Sequence, residues 1–172
     1  MDYSNITKLD LSKKGLEELP DLSIYYNLIE LNCSHNNLTN LNNLPQTLKI
    51  LHCNNNKIVT LNNLPLGLQK LYCWNNNITT LDNLPLGLLN LNVSNNFIVA
   101  LDNLPLGLKY LYCNHNNIIA LDNLPPGLQT LYCYGNKIAT LTNLPLELQN
   151  LYCNNNIALD KLPPGLKELM WK

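Results

Sequence analysis

A single recurring column of leucines limits what this chain can fold into. Leu31, Leu51, Leu71, Leu91, Leu111, Leu131 and Leu151 follow one another every 20 residues. Two positions on stand Cys33, Cys53, Cys73, Val93, Cys113, Cys133 and Cys153. Three further on come Asn36, Asn56, Asn76, Asn96, Asn116, Asn136 and Asn156, then Leu38, Ile58, Ile78, Ile98, Ile118 and Ile138. Each unit continues Leu-x-x-Leu-Pro-x-x-Leu, as at Leu81, Leu84, Pro85 and Leu88. A unit this short cannot bury its apolar face alone, so copies must stack into a solenoid. One domain over residues 1–172 is expected. It divides into an atypical N-terminal coil over 1–30, six 20-residue repeats over 31–150, and a shortened last repeat with a terminal strand over 151–172.

The residues dictate the shape of each coil. Leu31 and Cys33 alternate with Glu30, Asn32 and Ser34, the period of a short strand with one buried face. Stacked units place these strands in parallel at roughly 4.8 Å spacing. The return segment is short and carries a proline, as at Pro65 and Pro105, so extended or polyproline-II backbone is expected there rather than a helix. A wide strand side and a slim return side curve the array, with the sheet concave. The Asn column reads as structural. A tight turn after each strand leaves backbone groups needing partners, and one amide offers two donors and an acceptor. Gly67, Gly87 and Gly107 read as turn residues. Thr47 and Glu147 fill the same slot, so positive φ is not expected there.

The pattern Leu-x-x-Leu-x-Cys-x-x-Asn-x-Ile resembles the leucine-rich repeat signature from Ile6 to Trp171. With Leu-x-x-Leu-Pro-x-x-Leu after it, the unit is similar to the short 20-residue class of type III secretion effectors, and to arrays in giant DNA viruses. The resemblance implies the α/β class in its leucine-rich-repeat form: a right-handed array, a parallel concave sheet and few or no helices. Some such effectors carry a ubiquitin-ligase domain with a catalytic Cys. Here every Cys lies in the core column, so that activity is not expected.

Charge narrows the function. Eleven Lys+Arg against 12 Asp+Glu leave a net charge of -1, which argues against a nucleic-acid grip based on counterion release. Charged residues are only 13%, and the abundant Asn supplies the missing surface polarity. No apolar run approaches the roughly 18 residues of a membrane span, and the first residues lack the basic and apolar regions of a signal peptide. No membrane association is expected. The six Cys share an inward column that also accepts Val93, so they read as reduced packing residues. That suits an intracellular, cytoplasmic setting, a host cytoplasm in the case of an effector.

No catalytic group is expected. His35, His52 and His115 lie off the Cys column, and His35 and His115 stand roughly 19 Å apart at the strand spacing, too far to share a metal. No phosphate loop appears, and Asp82, Asp102 and Asp122 form a column on the return side. The chain reads as a non-enzyme with no cofactor and no metal.

Binding is where the residues point. Seven of the 12 aromatics fall on outward strand positions: Tyr72, Trp74, Tyr110, Tyr112, Tyr132, Tyr134 and Tyr152. Tyr and Trp combine an apolar body with a polar tip and dominate interface hot spots. Tyr72, Tyr112, Tyr132 and Tyr152 also fit simple duplication of one ancestral Leu-Tyr-Cys, whereas Trp74, Tyr110 and Tyr134 break the column. Asn90, Asn92 and Ser94 form a polar gap. The expected function is a protein–protein interaction module using this concave face for a protein partner, with no nucleic acid and no membrane. Alternatives are a carbohydrate or small-ligand binder on the same aromatics, or a self-assembling array. A monomer is favoured. At the C-terminal end Trp171 takes a Cys position and is expected to be buried as a cap over Leu151 and Cys153.

Overall fold

The computed structural model describes residues 3–155, 157–159 and 161–172. Nine strands form one parallel sheet: β1 (Lys8–Asp10), β2 (Glu30–Asn32), β3 (Ile50–His52), β4 (Lys70–Tyr72), β5 (Asn90–Asn92), β6 (Tyr110–Tyr112), β7 (Thr130–Tyr132), β9 (Asn150–Cys153) and β11 (Glu168–Trp171). They pair in chain order, and the register sets each column residue on its counterpart: Leu31 on Leu51, Leu51 on Leu71, Leu71 on Leu91. The chain is therefore a parallel-sheet solenoid of about eight coils, with no helix among the described residues. Two further short strands, β8 (Thr140–Leu141) and β10 (Ala158–Leu159), pair on the return side at the shortened last coil.

Inside each coil the apolar columns close completely. Leu31, Leu51, Leu71, Leu91, Leu111, Leu131 and Leu151 are all fully buried, as is the Cys/Val column beside them. Leu38 and the Ile column from Ile58 to Ile138 cover that layer from the return side. Each leucine removed from water contributes about 1.5–3 kcal/mol, and stacking is what makes that removal possible.

The Asn column does what its chemistry suggests. Asn56 donates from Nδ2 to the carbonyls of Cys33 (3.1 Å) and Cys53 (3.0 Å), and its Oδ1 accepts from Leu38 N–H (3.0 Å). One amide thus satisfies its own coil and the preceding one. Asn76, Asn96, Asn116 and Asn136 repeat the pattern. Asn36 serves the first coil, accepting from Lys14 and Leu16 N–H. Asn156 lies outside the described residues. Other asparagines take a different task. Asn43, Asn63, Asn83, Asn103, Asn123 and Asn143 adopt φ between 55° and 64°, a left-handed conformation that asparagine tolerates better than most residues. Gly67, Gly87 and Gly107 do not share it.

The C-terminal end corrects one expectation. Trp171 pairs in register with Cys153, and Leu151 and Cys153 beneath it are fully buried. The indole itself is 44% exposed. It pairs over the layer below yet stays exposed, so it does not form the buried cap that was expected.

Candidate functional site

Sheet geometry aligns the outward residues into three rows. The central row runs Asp10, Asn32, His52, Tyr72, Asn92, Tyr112, Tyr132, Tyr152 and Met170, each in register with the next. A parallel ladder spaces them one strand apart, close enough for rings to touch. Tyr132 stacks on Tyr152 with centroids 3.8 Å apart and planes at 15°, and Tyr112 tilts onto Tyr132 at 4.8 Å. These three rings form one island.

A second island lies on the other side of Asn92. His52 stacks on Tyr72 at 4.6 Å with planes at 11°. His52, at an outward strand position and off the Cys column, is not among the contact residues expected from the sequence. Its signal as a contact residue was its place in the Tyr row. Trp74 lies half-buried in the next row on the same coil as Tyr72. Between the islands Asn92 Oδ1 accepts from Ser94 N–H (3.1 Å), and Ser94 Oγ donates to Asn114 Oδ1 (2.7 Å). Asn90 Oδ1 is buried without a hydrogen-bond partner.

The flanking aromatics take different surroundings. Tyr110 is exposed at the edge, next to Thr130, which is buried and accepts from Asn150 Nδ2 at 3.2 Å. Tyr134 meets His115 edge-on at 5.0 Å. His115 also closes over Gly135, where a Cβ would stand 2.5 Å from its Nδ1. That glycine has φ +67°, a conformation that His35, Asn55, Asn75, Asn95 and His115 adopt at the same place in the other coils, so what a Cβ there would displace is the His115 ring. His35 lies apart, its Nε2 3.3 Å from Asn55 Nδ2.

Charge on this face is sparse, with Lys70 exposed on β4 and most of the rest toward the two ends. Lys8 pairs with Glu30 at 2.8 Å, and His52 Nε2 lies 3.6 Å from the same carboxylate. The hydrogen bond from Lys8 is the main reason the Glu30 carboxyl is held below its usual value. At the other end the Glu168 carboxylate, then the Tyr132 hydroxyl, push the Tyr152 phenol up by hydrogen bonding to it. Burial pushes Tyr112 up as well. The Tyr112 and Tyr152 phenols are therefore held in their neutral form at physiological pH.

The cysteine thiols are closed to solvent. All six cysteines are buried free thiols, and burial pushes Cys113 up to about 12 and Cys33 well above its usual value. Among the described residues no group of three His, Cys, Asp or Glu could hold a metal ion.

Residues 106–146 match the family described as leucine-rich repeats in two copies. A Shigella effector leucine-rich repeat domain is 34% identical, with a TM-score of 0.78 over 91% of this chain and 71% of its own. The chain belongs to the leucine-rich repeat family. It is also similar to YopM, a leucine-rich effector protein from Yersinia pestis, at 33% identity and a TM-score of 0.87 over 96% of this chain and 49% of that one. YopM from Yersinia enterocolitica gives 32% identity and a TM-score of 0.80, and this chain spans 34% of its length. No curated protein matches in sequence. Leucine-rich repeat chains of this kind are typically protein-interaction scaffolds rather than enzymes.

Proposed function

We propose that this leucine-rich repeat domain, acting as one unit over residues 1–172, is a non-enzymatic module that binds a partner protein on the Tyr-rich face of its sheet. The observation that carries the reading is the Tyr112–Tyr132–Tyr152 stack beside Tyr110 and Tyr134. The three stacked rings form one continuous aromatic surface with hydroxyl tips on a rigid ladder. Rings held by stacking lose little side-chain entropy on binding, which is how such residues become hot spots. Tyr72 and Trp74 with His52 supply a second contact. The stacked rings spend their faces on one another and offer edges and hydroxyls outward, which suits a protein surface better than a sugar ring. Six buried free thiols fit work in a reducing cytoplasm, a host cell's if the likeness to effectors extends to delivery.

The test is capture of a partner from cell lysate, then titration of that purified protein against wild type and Tyr112→Ala/Tyr132→Ala. Loss of affinity by more than about 30-fold is expected for a hot-spot pair, with unchanged circular dichroism. Undiminished binding by the double variant refutes the reading.

A further inference from the structure

A second surface lies away from the sheet face, at the turn that leads into each strand. The turn closes from Leu68 N–H to Pro65 O (3.0 Å), and the same bond recurs at Leu88–Pro85, Leu108–Pro105, Leu128–Pro125, Leu148–Pro145 and Leu166–Pro163. Leu64 and Leu68 point into the core, which leaves the residue between Pro65 and Gly67 at the tip. That residue is Leu66, 84% exposed, and its counterparts Leu86, Leu106 and Leu146 are 87%, 78% and 74% exposed. Pro126 and Pro164 occupy the same exposed slot. Six successive coils thus raise an apolar tip in one row.

Nothing in the turn demands leucine. Gln46 holds the same place, with the turn closed from Leu48 N–H to Pro45 O at 3.2 Å. Four leucines this exposed, with two prolines in line, present on the order of 700 Å² per copy, near the ~800 Å² per partner of a standard stable interface. Monomers seldom leave so large an apolar strip uncovered.

Charge beside the row selects the occupant. The chain enters the tips past exposed Asp82, Asp102 and Asp122. On the far side lie Lys49 and Lys109, whose amines would stand 2.6 and 2.7 Å from a Cβ on Gly67 and Gly127. The acidic flank repels an anionic bilayer, and a row one residue wide offers little depth for insertion. A second copy is different. A two-fold axis running along the row sets each tip against its own counterpart. It also brings Asp122 of each copy opposite Lys109 of the other, at the height of Gly127. An axis across the row would set Asp against Asp.

We propose that this row of turn tips, centred on Leu86 and Leu106, is a homodimer interface in which two copies pair in parallel and in register. This leaves both sheet faces open, so the inference is independent of what the Tyr-rich face binds.

Sedimentation equilibrium over a rising concentration series tests it. The wild-type mass is expected to climb from 19.5 kDa toward twice that value. Leu86→Asp/Leu106→Asp, both at exposed positions and checked by thermal melting, is expected to raise the dimer Kd by more than about 100-fold. A wild type that stays monomeric overturns the proposal, as does a double variant that dimerises equally well. So does a monomeric wild type that co-sediments with phosphatidylcholine vesicles while the double variant does not. Orientation is read by oxidative cross-linking. Leu66→Cys and Leu146→Cys are each expected to couple to themselves; coupling only between the two in a mixed sample overturns the parallel arrangement.

Discussion

The middle coils and the last coil carry the same residue pattern and are protected very differently. Leu91, Val93, Leu111 and Cys113 are fully buried, whereas Leu169 is half-buried and Trp171 is 44% exposed, although β11 keeps perfect register with β9. Hydrogen-bond register needs one neighbour; burial needs two. In a stack each layer's share of stability comes from the coils on either side, so identical residues are worth different amounts at different heights.

The largest test of that difference removes one bridging amide. Asn96→Ala strands Ile78 N–H and the Cys73 and Val93 carbonyls, buried groups whose orphaning costs about 1–3 kcal/mol each. Urea unfolding is expected to show a loss of about 3–5 kcal/mol. Asn36→Ala is expected to cost about half as much, because its partners Lys14 and Leu16 N–H are closer to solvent. Equal losses would break the comparison. Next come the leucines: Leu91→Ala is expected to cost about 3–5 kcal/mol and Leu169→Ala about 1–2 kcal/mol, by the same measurement.

The thiols sharpen the contrast chemically. Cys113 lies deep, with its pKa pushed up to about 12, so it should resist a thiol reagent until the chain unfolds. Cys153 is covered by Trp171 of the neighbouring strand, and Trp171→Ala is expected to speed its labelling while leaving Cys113 unchanged. A raised thiol pKa also fixes the pH response. The stability it represents is complete below the unfolded value near 9 and declines as the pH rises above it. Base-side unfolding scans check this.

The smallest effect belongs to the N-terminal edge. Lys8→Ala removes an ion pair whose lysine is largely exposed, and a change of about 0.2–1 kcal/mol is expected. Because Lys8 lowers the Glu30 pKa, that contribution is present above the unfolded carboxylate value and disappears as acid carries the pH down through the folded one. An acid titration of wild type against Lys8→Ala should show the two curves converge.

Most of the scaffold was legible because it repeats. Strand register, the buried Cys column and the amide bridges all follow from residues that recur at one spacing, and a need repeated in every coil leaves a column. What was missed does not repeat or hides within a letter already explained. Asparagine answers two demands, and counting it as a bridge concealed Asn63 and its counterparts as left-handed hinges. His52 extends the Tyr row, but the residue type suggested metals before rings. The β8–β10 pair arises only where the last coil is shortened. The exposure of Trp171 depends on what lies past the final strand, which no period describes.

The amide bridges have a consequence for how such a chain can change. Every bond that Asn56, Asn76 or Asn96 makes beyond its own coil reaches back by a fixed number of residues. Gaining or losing a whole 20-residue unit leaves each bond with an equivalent partner, while a change of one residue within a unit moves the amide off its carbonyls. Length in the middle of this molecule therefore favours steps of one whole unit, while coils of 22 and 18 residues are confined to the two ends of the array.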